Sequence, residues 1–286
     1  MKNLIDKLKS ARTVAVFSGA GISTLCGIPD FRGPQGLYKQ PDAERIFDIE
    51  WFQRDPSIYY KGCMELVYGQ RRFKPGPVHH AVARLEQAGI VKGVITQNID
   101  MLHQKAGSRI VYEVHGSPLL HHCIACGRVK TFDEICDMLE RTPVPRCEMC
   151  GEAYKPDITF FGEMLPEQAL NQSVELANKV DLMLVLGSSL TVHPAASIPH
   201  MTVRKGGELV IINAQPTPLD RIATLIYPDL AAFADAVRRR GNDSLLMEDG
   251  RPRGPKLPDQ RLDRVSPSKK RYALTIVPPP STRSPS

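Results

Sequence analysis

Short apolar runs recur along the chain and alternate with segments of helical periodicity. A run with almost no polar position suits a strand that is buried on both faces of a parallel sheet. Such runs lie at 13–17, 93–96, 109–114, 182–186, 208–212 and, more weakly, 224–227. Apolar residues at helical spacing lie at 3–10, 77–88, 166–180 and 230–240. Strands that alternate with helices predict an α/β fold built on a doubly wound parallel sheet.

Two stretches interrupt this alternation, and each is expected to be an insertion into the sheet domain. Residues 34–74 are rich in aromatic side chains and are predicted to be helical, whereas residues 118–156 contain two cysteine pairs. The core of the sheet domain would then comprise 1–33, 75–117 and 157–240. We expect the two insertions to form a smaller module together.

The segment 241–286 differs from the rest of the chain in composition. Residues 243–286 hold 8 of the 24 prolines, and their 9 lysines and arginines against 5 acidic residues supply +4 of the net charge of +6. Such a composition cannot build an apolar core, so we expect a disordered, basic tail rich in Pro, Arg and Ser. Because most of the charge lies in this tail, the basic pI does not indicate a nucleic-acid-binding body.

The overall composition excludes several classes of protein. Apolar residues make up 42% and charged residues 24%, as in ordinary globular proteins. No apolar run approaches the roughly 18 residues of a membrane span. Residues 1–10 lack the apolar stretch of a secretory signal. We therefore expect no membrane contact, and we exclude a collagen-like or wholly disordered chain.

Two close cysteine pairs, Cys123-x2-Cys126 and Cys147-x2-Cys150, are separated by 20 residues. The odd total of seven cysteines is unlike a disulfide framework and indicates a reducing compartment, hence a cytoplasmic protein with a metal site. Four thiolates fill the tetrahedral coordination of one zinc ion, so the zinc would be structural. The alternative is a pair of redox dithiols, but neither pair follows a strand in a thioredoxin-like context.

A glycine-containing loop, Ser18-Gly-Ala-Gly-Ile-Ser-Thr24, follows the first predicted strand. Glycines at 19 and 21 allow backbone N–H groups to approach a phosphate, as in dinucleotide sites. Thr24 stands where the usual fingerprint has a third glycine. Taken alone, the loop therefore fits either a phosphate-bearing cofactor or a plain strand-to-helix turn.

The residues around this loop resemble the sirtuin family of NAD-dependent protein deacylases, and its bacterial and archaeal members above all. Seven motifs follow in the family's order between about Val14 and Val237. They are Gly19-Ala-Gly-Ile-Ser23 with Gly27-Ile-Pro-Asp-Phe-Arg-Gly33, Thr96-Gln-Asn-Ile-Asp100 with Leu102-His103, His115-Gly116, the four cysteines, Phe161-Gly-Glu163, Gly187-Ser-Ser-Leu190 and Ile212-Asn213.

The resemblance implies that 1–240 is a sirtuin catalytic domain, with NAD bound between a Rossmann-type sheet and the smaller zinc-binding and helical domain. A ligand beyond the carboxyl ends of parallel strands agrees with this. The residues implied to contact NAD are Gly19, Ala20, Gly21, Ser23, Thr24, Phe31, Arg32, Gln97, Asn98, Ile99, Asp100, Gly187, Ser188, Ser189, Asn213, Ala214, Gln215 and Leu230. For Phe31 and Arg32 a proline-rich turn is the alternative, and Leu230 also fits a helix core.

Three polar residues are implied to act in catalysis. His115 would be the general base for the nicotinamide ribose, since a neutral imidazole can accept a proton at neutral pH. Without the motif, a buried core histidine would be the better interpretation. Asp100 would hold the nicotinamide amide and Asn98 would position ribose and water, with helix capping as the alternative for both.

The resemblance also implies a groove for an acyl-lysine peptide at Phe161, Gly162, Glu163 and Val192, where an extended peptide would pair as an added strand. The implied reaction is NAD-dependent deacylation of protein lysine, most simply deacetylation, with release of nicotinamide and O-acyl-ADP-ribose. Protein ADP-ribosylation at the same NAD site is one alternative, and an NAD-sensing regulator without turnover is another.

Two further features bear on substrates and partners. Desuccinylating members of the family carry a Tyr-x-x-Arg pair, and Cys63 and Leu66 align with those positions, so a cation for an acidic acyl group is absent. The tail carries Lys269-Lys-Arg271 and would be the only contact with nucleic acid or an acidic partner. The alternative, which we favour, is a solvated extension without a partner.

Overall fold

The computed structural model describes residues 1–30, 36, 43–240 and 275–276. Within these residues the strands are β1 (Val14–Ser18), β2 (Val91–Thr96), β3 (Val111–Glu113), β4 (Gly116–Cys123), β5 (Val129–Thr131), β6 (Tyr154–Ile158), β7 (Leu182–Leu186), β8 (Val192–His193), β9 (Glu208–Ile212), β10 (Leu225–Tyr227) and β11 (Thr275–Ile276). The α-helices are α1 (Lys2–Ser10), α2 (Ala43–Ile46), α3 (Ile49–Arg54), α4 (Pro56–Cys63), α5 (Pro77–Gln87), α6 (Leu102–Lys105), α7 (Phe132–Leu139), α8 (Glu167–Lys179), α9 (Ile198–Arg204) and α10 (Leu230–Arg240).

Six parallel strands form the large sheet, in the order β10-β9-β7-β1-β2-β3. Every residue of β1 and β7 is buried, as their continuous apolar runs predict. Strand β1 pairs with β2 on one side and with β7 on the other. The strand order therefore reverses at β1, and such a reversal opens a crevice at the carboxyl ends of the strands.

Helices cover both faces of this sheet. On one face, α1, α5 and α10 contribute Leu8, Val82 and Phe233 to a buried apolar cluster. On the other face, Leu176 of α8 and Ile198 of α9 belong to a second cluster. The predicted doubly wound architecture is confirmed, and each predicted apolar run overlaps a strand of the sheet.

A separate hydrophobic cluster holds residues of both predicted insertions. It joins α2, α3 and α4 to a three-stranded antiparallel sheet of order β5-β4-β6 and to α7. Edge-to-face ring pairs, such as Phe52 with Tyr59 and Phe47 with Phe160, fill its centre. The domain boundaries remain a prediction, and β4 and β6 run across the expected limits at 117 and 156.

Two parts of the prediction fall on residues outside this description. One is the loop with Phe31 and Arg32. The other is the expected tail at 241–286, of which only Thr275 and Ile276 are described; these two residues pair with β8. In the described part of the chain, no helix is both long and apolar enough to cross a membrane.

Candidate active site

A cavity of about 450 Å³ lies where the carboxyl ends of the central strands face the smaller module. Most of the predicted NAD-contacting residues line it, together with His115. The predicted residues in its lining are Gly19, Ala20, Gly21, Thr24, Gln97, Asn98, Ile99, His115, Phe161, Gly187, Ser188, Ser189, Val192, Asn213, Ala214, Gln215 and Leu230. Ser23, Asp100, Gly162 and Glu163 are described but do not line the cavity.

The cavity also has lining residues that the sequence analysis missed. They are Leu25, Asp30, Phe47, Ile158, Thr159, Pro228, Asp229 and Ala231. Pro228 and Asp229 follow the end of β10 as Asn213 follows the end of β9, but the resemblance implied only Asn213. No sequence signal marks Phe47, Ile158 or Thr159, because they reach the cavity from the smaller module.

Three glycines allow the loops after β1 and β7 to meet. A Cβ atom on Gly19 or Gly21 would lie 2.8 Å from the carbonyl oxygen of Gly187. Gly187 has a φ of +60°, and a Cβ there would lie 2.6 Å from the Ile22 nitrogen. The N–H of Gly19 donates to the Leu186 carbonyl and that of Gly21 to the Gly187 carbonyl. These two N–H groups therefore join the loops to each other, so any phosphate contact expected of this loop would use its other N–H groups.

The loop after β2 carries amide and carboxylate groups that tie it to both neighbouring loops. Gln97 Nε2 donates to Ser188 Oγ at 2.7 Å. Asn98 Nδ2 lies 3.2 Å from the Gly19 carbonyl oxygen and 3.3 Å from Ser23 Oγ. The three loops that line the cavity are thus held as one polar network around the carboxyl ends of β1, β2 and β7.

The Asp100 carboxylate is buried behind this loop. One oxygen accepts the N–H of Leu102 at the start of α6, at 2.9 Å, and the other accepts the Ser23 hydroxyl at 2.6 Å. The helix-capping alternative therefore describes one of its contacts. The other contact makes Asp100 a link between the β2 loop and the glycine loop.

His115 lies between β3 and β4, at the junction of the two domains. Its Nδ1 is 3.0 Å from the carbonyl oxygen of Gln97. Its own carbonyl oxygen accepts the N–H of Thr159, which follows β6, at 2.8 Å. Gln97 thus holds the imidazole and Thr159 holds the backbone of His115, and the residue lines the cavity.

Buried side chains support the β2 loop from beneath. Ser18 Oγ donates to Thr96 Oγ1 at 2.9 Å and lies 2.8 Å from His103 Nε2. Thr96 Oγ1 in turn accepts the N–H of Asn98 at 3.1 Å. Burial lowers the pKa of His103 to about 3, so this histidine stays neutral and acts as a fixed hydrogen-bonding group.

The four residues predicted to form the peptide groove take different positions. Phe161 and Val192 line the cavity. The Glu163 carboxylate instead accepts the N–H of Phe160 and pairs with Lys155 Nζ, each at 2.8 Å. Gly162 has a φ of +91°, which turns the loop sharply between Phe161 and Glu163. Glu163 therefore fixes the shape of this loop and is not part of the cavity lining.

The four paired cysteines bring their sulfurs within 4.8 Å of one another. Cys123 Sγ is 3.4 Å from Cys150 Sγ, and Cys126 Sγ is 3.6 Å from Cys147 Sγ. Zn–S bonds of about 2.3 Å in a tetrahedron place sulfurs roughly 3.8 Å apart. The thiolate set fits one tetrahedral zinc ion, and none of the four cysteines lines the cavity.

Each cysteine pair forms the same turn. The N–H of Gly127 donates to the Cys123 carbonyl, and the N–H of Gly151 donates to the Cys147 carbonyl. Both glycines have positive φ, 71° and 78°, which glycine adopts without strain. The two turns present their sulfurs to a common centre, as the spacing predicts.

The cavity lies where the strand order of a doubly wound sheet reverses, and a glycine loop lines it. These two features are typical of Rossmann-type nucleotide-binding proteins. The model of the Sir2 family matches residues 19–194, and the chain belongs to this family. It is 44% identical over 245 residues to an NAD-dependent protein deacetylase of Thermotoga maritima, covering 85% of this chain and 99% of that one. It is 45% identical over 246 residues to NAD-dependent protein deacylase 2 of Pyrobaculum aerophilum, covering 83% and 96%.

Solved structures show the same similarity. A Sir2 variant with a deacetylated p53 peptide and 3′-O-acetyl ADP ribose matches with a TM-score of 0.81 at 42% identity, covering 86% of this chain and 99% of that one. Sir2Tm bound to a propionylated peptide matches with a TM-score of 0.78 at 42% identity, covering 85% and 99%.

Proposed function

We propose that this chain is an NAD-dependent protein-lysine deacylase that prefers acetyl-lysine. The observation that carries the proposal is the position of His115 in the same cavity as the glycine loop and the Asn98 loop. The similarity to a protein deacetylase over 99% of that relative supports the same activity.

The hydrogen bond of His115 defines which ring nitrogen is the base. A carbonyl oxygen can only accept, so the contact with Gln97 places the proton of the neutral ring on Nδ1. The lone pair then resides on Nε2. In our proposal, Nε2 removes a proton from a ribose hydroxyl of the bound nucleotide.

The other cavity residues bind and orient the nucleotide. NAD, when bound, supplies a ribose carbon that loses nicotinamide and an ADP-ribose that receives the acyl group. We assign phosphate and ribose contacts to Ser188, Ser189 and Asn213, which follow the ends of β7 and β9. Asn98 orients ribose and water. Asp100 acts from behind the cavity wall, because its bonds to Leu102 and Ser23 position the loop that would receive the nicotinamide amide. Ala214, Gln215 and Leu230 line the adenine side.

We place the acyl-lysine peptide between the 161–163 loop and β8. An extended chain there would use backbone hydrogen bonds, which accept many sequences. Among the described residues that line the cavity, none is lysine or arginine. Cys63 and Leu66 are buried in the apolar cluster of the smaller module. The described lining therefore offers no cation for an acidic acyl group, and a neutral acyl group is preferred.

The four cysteines would hold one zinc ion that stabilises the smaller module and takes no part in the reaction. All seven cysteines are free of disulfides, which supports a reducing, cytoplasmic location.

One peptide synthesised with acetyl-, propionyl- or succinyl-lysine tests the proposed function. We expect NAD-dependent loss of the acetyl group, equimolar nicotinamide and O-acetyl-ADP-ribose by mass spectrometry. We expect succinyl-lysine to react at least about tenfold more slowly, the difference that one lost charge contact can produce. ADP-ribosylated protein without deacylated peptide would instead identify an ADP-ribosyltransferase. NAD binding without any product would identify a regulator.

A further inference from the structure

Strand β8 carries a second strand from the far end of the chain. Thr275 of β11 lies opposite His193, and Ile276 lies opposite Val192, in an antiparallel pair. These two strands form a sheet of their own, and within the described residues β8 pairs with no other strand.

Strand β8 borders the cavity. Its residue Val192 lines the cavity together with Phe161 and His115, and the same residue pairs with Ile276. The proposed function places the acyl-lysine peptide on this same edge. One edge of a two-residue strand can pair with a single partner at a time.

We propose that the segment containing Thr275 and Ile276 is an internal competitor that occupies the peptide edge of β8 until an acyl-lysine peptide displaces it. This inference rests on the proposed function, because it requires β8 to be the peptide-binding edge. Neither paired residue is a lysine. The segment therefore brings no lysine amine to the paired positions and would not itself be consumed there.

The length of the chain between the two strands permits this pairing. Residues 241–274 supply 34 positions between α10 and β11. A chain of that length can reach at most about 110 Å, so the covalent connection does not prevent the pairing. Because both strands belong to one chain, the pairing is intramolecular, and a linked partner can compete at an effective concentration up to the order of millimolar.

Three forms of the protein test the competition. One ends at Arg240, one carries Thr275→Pro with Ile276→Pro, and the matched control carries Ser281→Pro with Thr282→Pro. Proline lacks the N–H that a strand donates, so the first pair of substitutions removes the pairing from the same tail. Affinity for a fluorescently labelled acetyl-lysine peptide is measured with the His115→Ala substitution in every form, so that no turnover occurs.

We expect the truncated form and the 275/276 variant to bind the peptide about threefold to tenfold more tightly than the full chain. The control variant should bind as the full chain does. A synthetic peptide spanning residues 269–282 should displace the labelled peptide from the truncated form at millimolar concentration. In forms that retain His115, KM for the acyl peptide should fall by the same factor while kcat stays unchanged.

Equal peptide affinity in all forms would overturn the inference and leave the proposed function standing. Absence of acyl-peptide binding by every form would overturn both. Tighter binding that is seen only when the full-length protein is diluted would show that the strand comes from a second copy, and would overturn the intrachain arrangement.

Discussion

The large sheet domain and the smaller module are stabilised in different ways. In the sheet domain, β1 and β7 bury every residue between two helical layers, and their side chains are almost all apolar. The smaller module packs tyrosine hydroxyls and His121 into its core. It also leaves Leu119 and Leu120 of β4 more than 40% exposed. Apolar burial dominates in the strands of the sheet, whereas the module also relies on buried polar side chains and on its cysteine cluster.

This difference explains where the chemistry can lie. The candidate cavity is built on strand ends of the sheet, which carry the loops at Gly19, Asn98 and Gly187. The module contributes Phe47, Ile158 and Phe161 from the opposite wall. In the proposed function, the module shapes the substrate side of the cavity, and a zinc ion held by the four cysteines would act on activity only through folding.

Removing one zinc ligand should have the largest effect. Cys147→Ala should abolish stable zinc binding and unfold the module, because structural zinc in finger peptides contributes about 10–16 kcal/mol. The sheet domain should retain its secondary structure. Elemental analysis, near-ultraviolet circular dichroism and thermal unfolding measure these effects.

Cys136→Ala is the matched control, since Cys136 is buried in the same module but lies outside the sulfur cluster. It should keep its zinc. Full zinc content in Cys147→Ala, or none in the unmodified protein, would contradict the metal assignment.

Adding a side chain where the two glycine loops meet should have the next largest effect, this time in the sheet domain. In Gly187→Ala, the new Cβ would clash with the Ile22 nitrogen, so the loops after β1 and β7 must separate. NAD affinity should fall at least about tenfold, since a displacement near 1 Å can cost that much or more. Calorimetric titration measures it.

Gly206→Ala is the matched control, because it introduces backbone strain without a steric clash. Gly206 also has positive φ, at +86°, but a Cβ there meets nothing within 4 Å. This variant should lose about 1 kcal/mol of stability and keep its NAD affinity. Equal NAD affinity in both variants would show that the loop contact does not shape the site.

The smallest expected effect concerns pH and the buried His103. Its pKa is about 3 in the folded protein and near 6.5 when unfolded, so only the unfolded state takes up a proton as pH falls below 6.5. Its stabilising contribution is complete above pH 6.5 and declines at lower pH, by up to about 1.4 kcal/mol per pH unit.

The free energy of unfolding is measured at pH 7, 6 and 5, which gives its slope against pH. His103→Gln should remove the part of this slope that His103 contributes. His200→Gln replaces an exposed histidine and should leave the slope unchanged. Identical slopes in all three proteins would contradict the assignment.

The sequence was most informative where a strand is buried on both faces. Continuous apolar runs located all six strands of the large sheet, including the weak one at 224–227. The strands of the module were not predicted, because Pro118 and Pro156 lie inside β4 and β6. The structure accommodates both: β6 is an edge strand, and the pairing of β4 with β6 shifts register between Gly116 and His121.

The candidate site was predictable to the extent that it follows strand ends. Gly19, Gln97, Gly187 and Asn213 all follow strand ends, and the resemblance implied that they contact NAD. The contact between the His115 carbonyl and Thr159 joins residues far apart in sequence, and no local pattern reports it. The pairing of β11 with β8 also joins residues far apart in sequence, so it could not be predicted from composition. The composition predicted only that residues 241–286 would not form an apolar core.

The His115→Ala variant tests the central claim most directly, with turnover of an acetyl-lysine peptide and affinity for NAD measured separately. If His115 Nε2 is the general base, turnover falls at least about 100-fold, the lower end of what such a base supplies, while NAD affinity stays within about threefold. His200→Ala, at an exposed histidine, should match the unmodified protein in both measurements. Turnover by His115→Ala within about threefold of the unmodified protein would contradict the account.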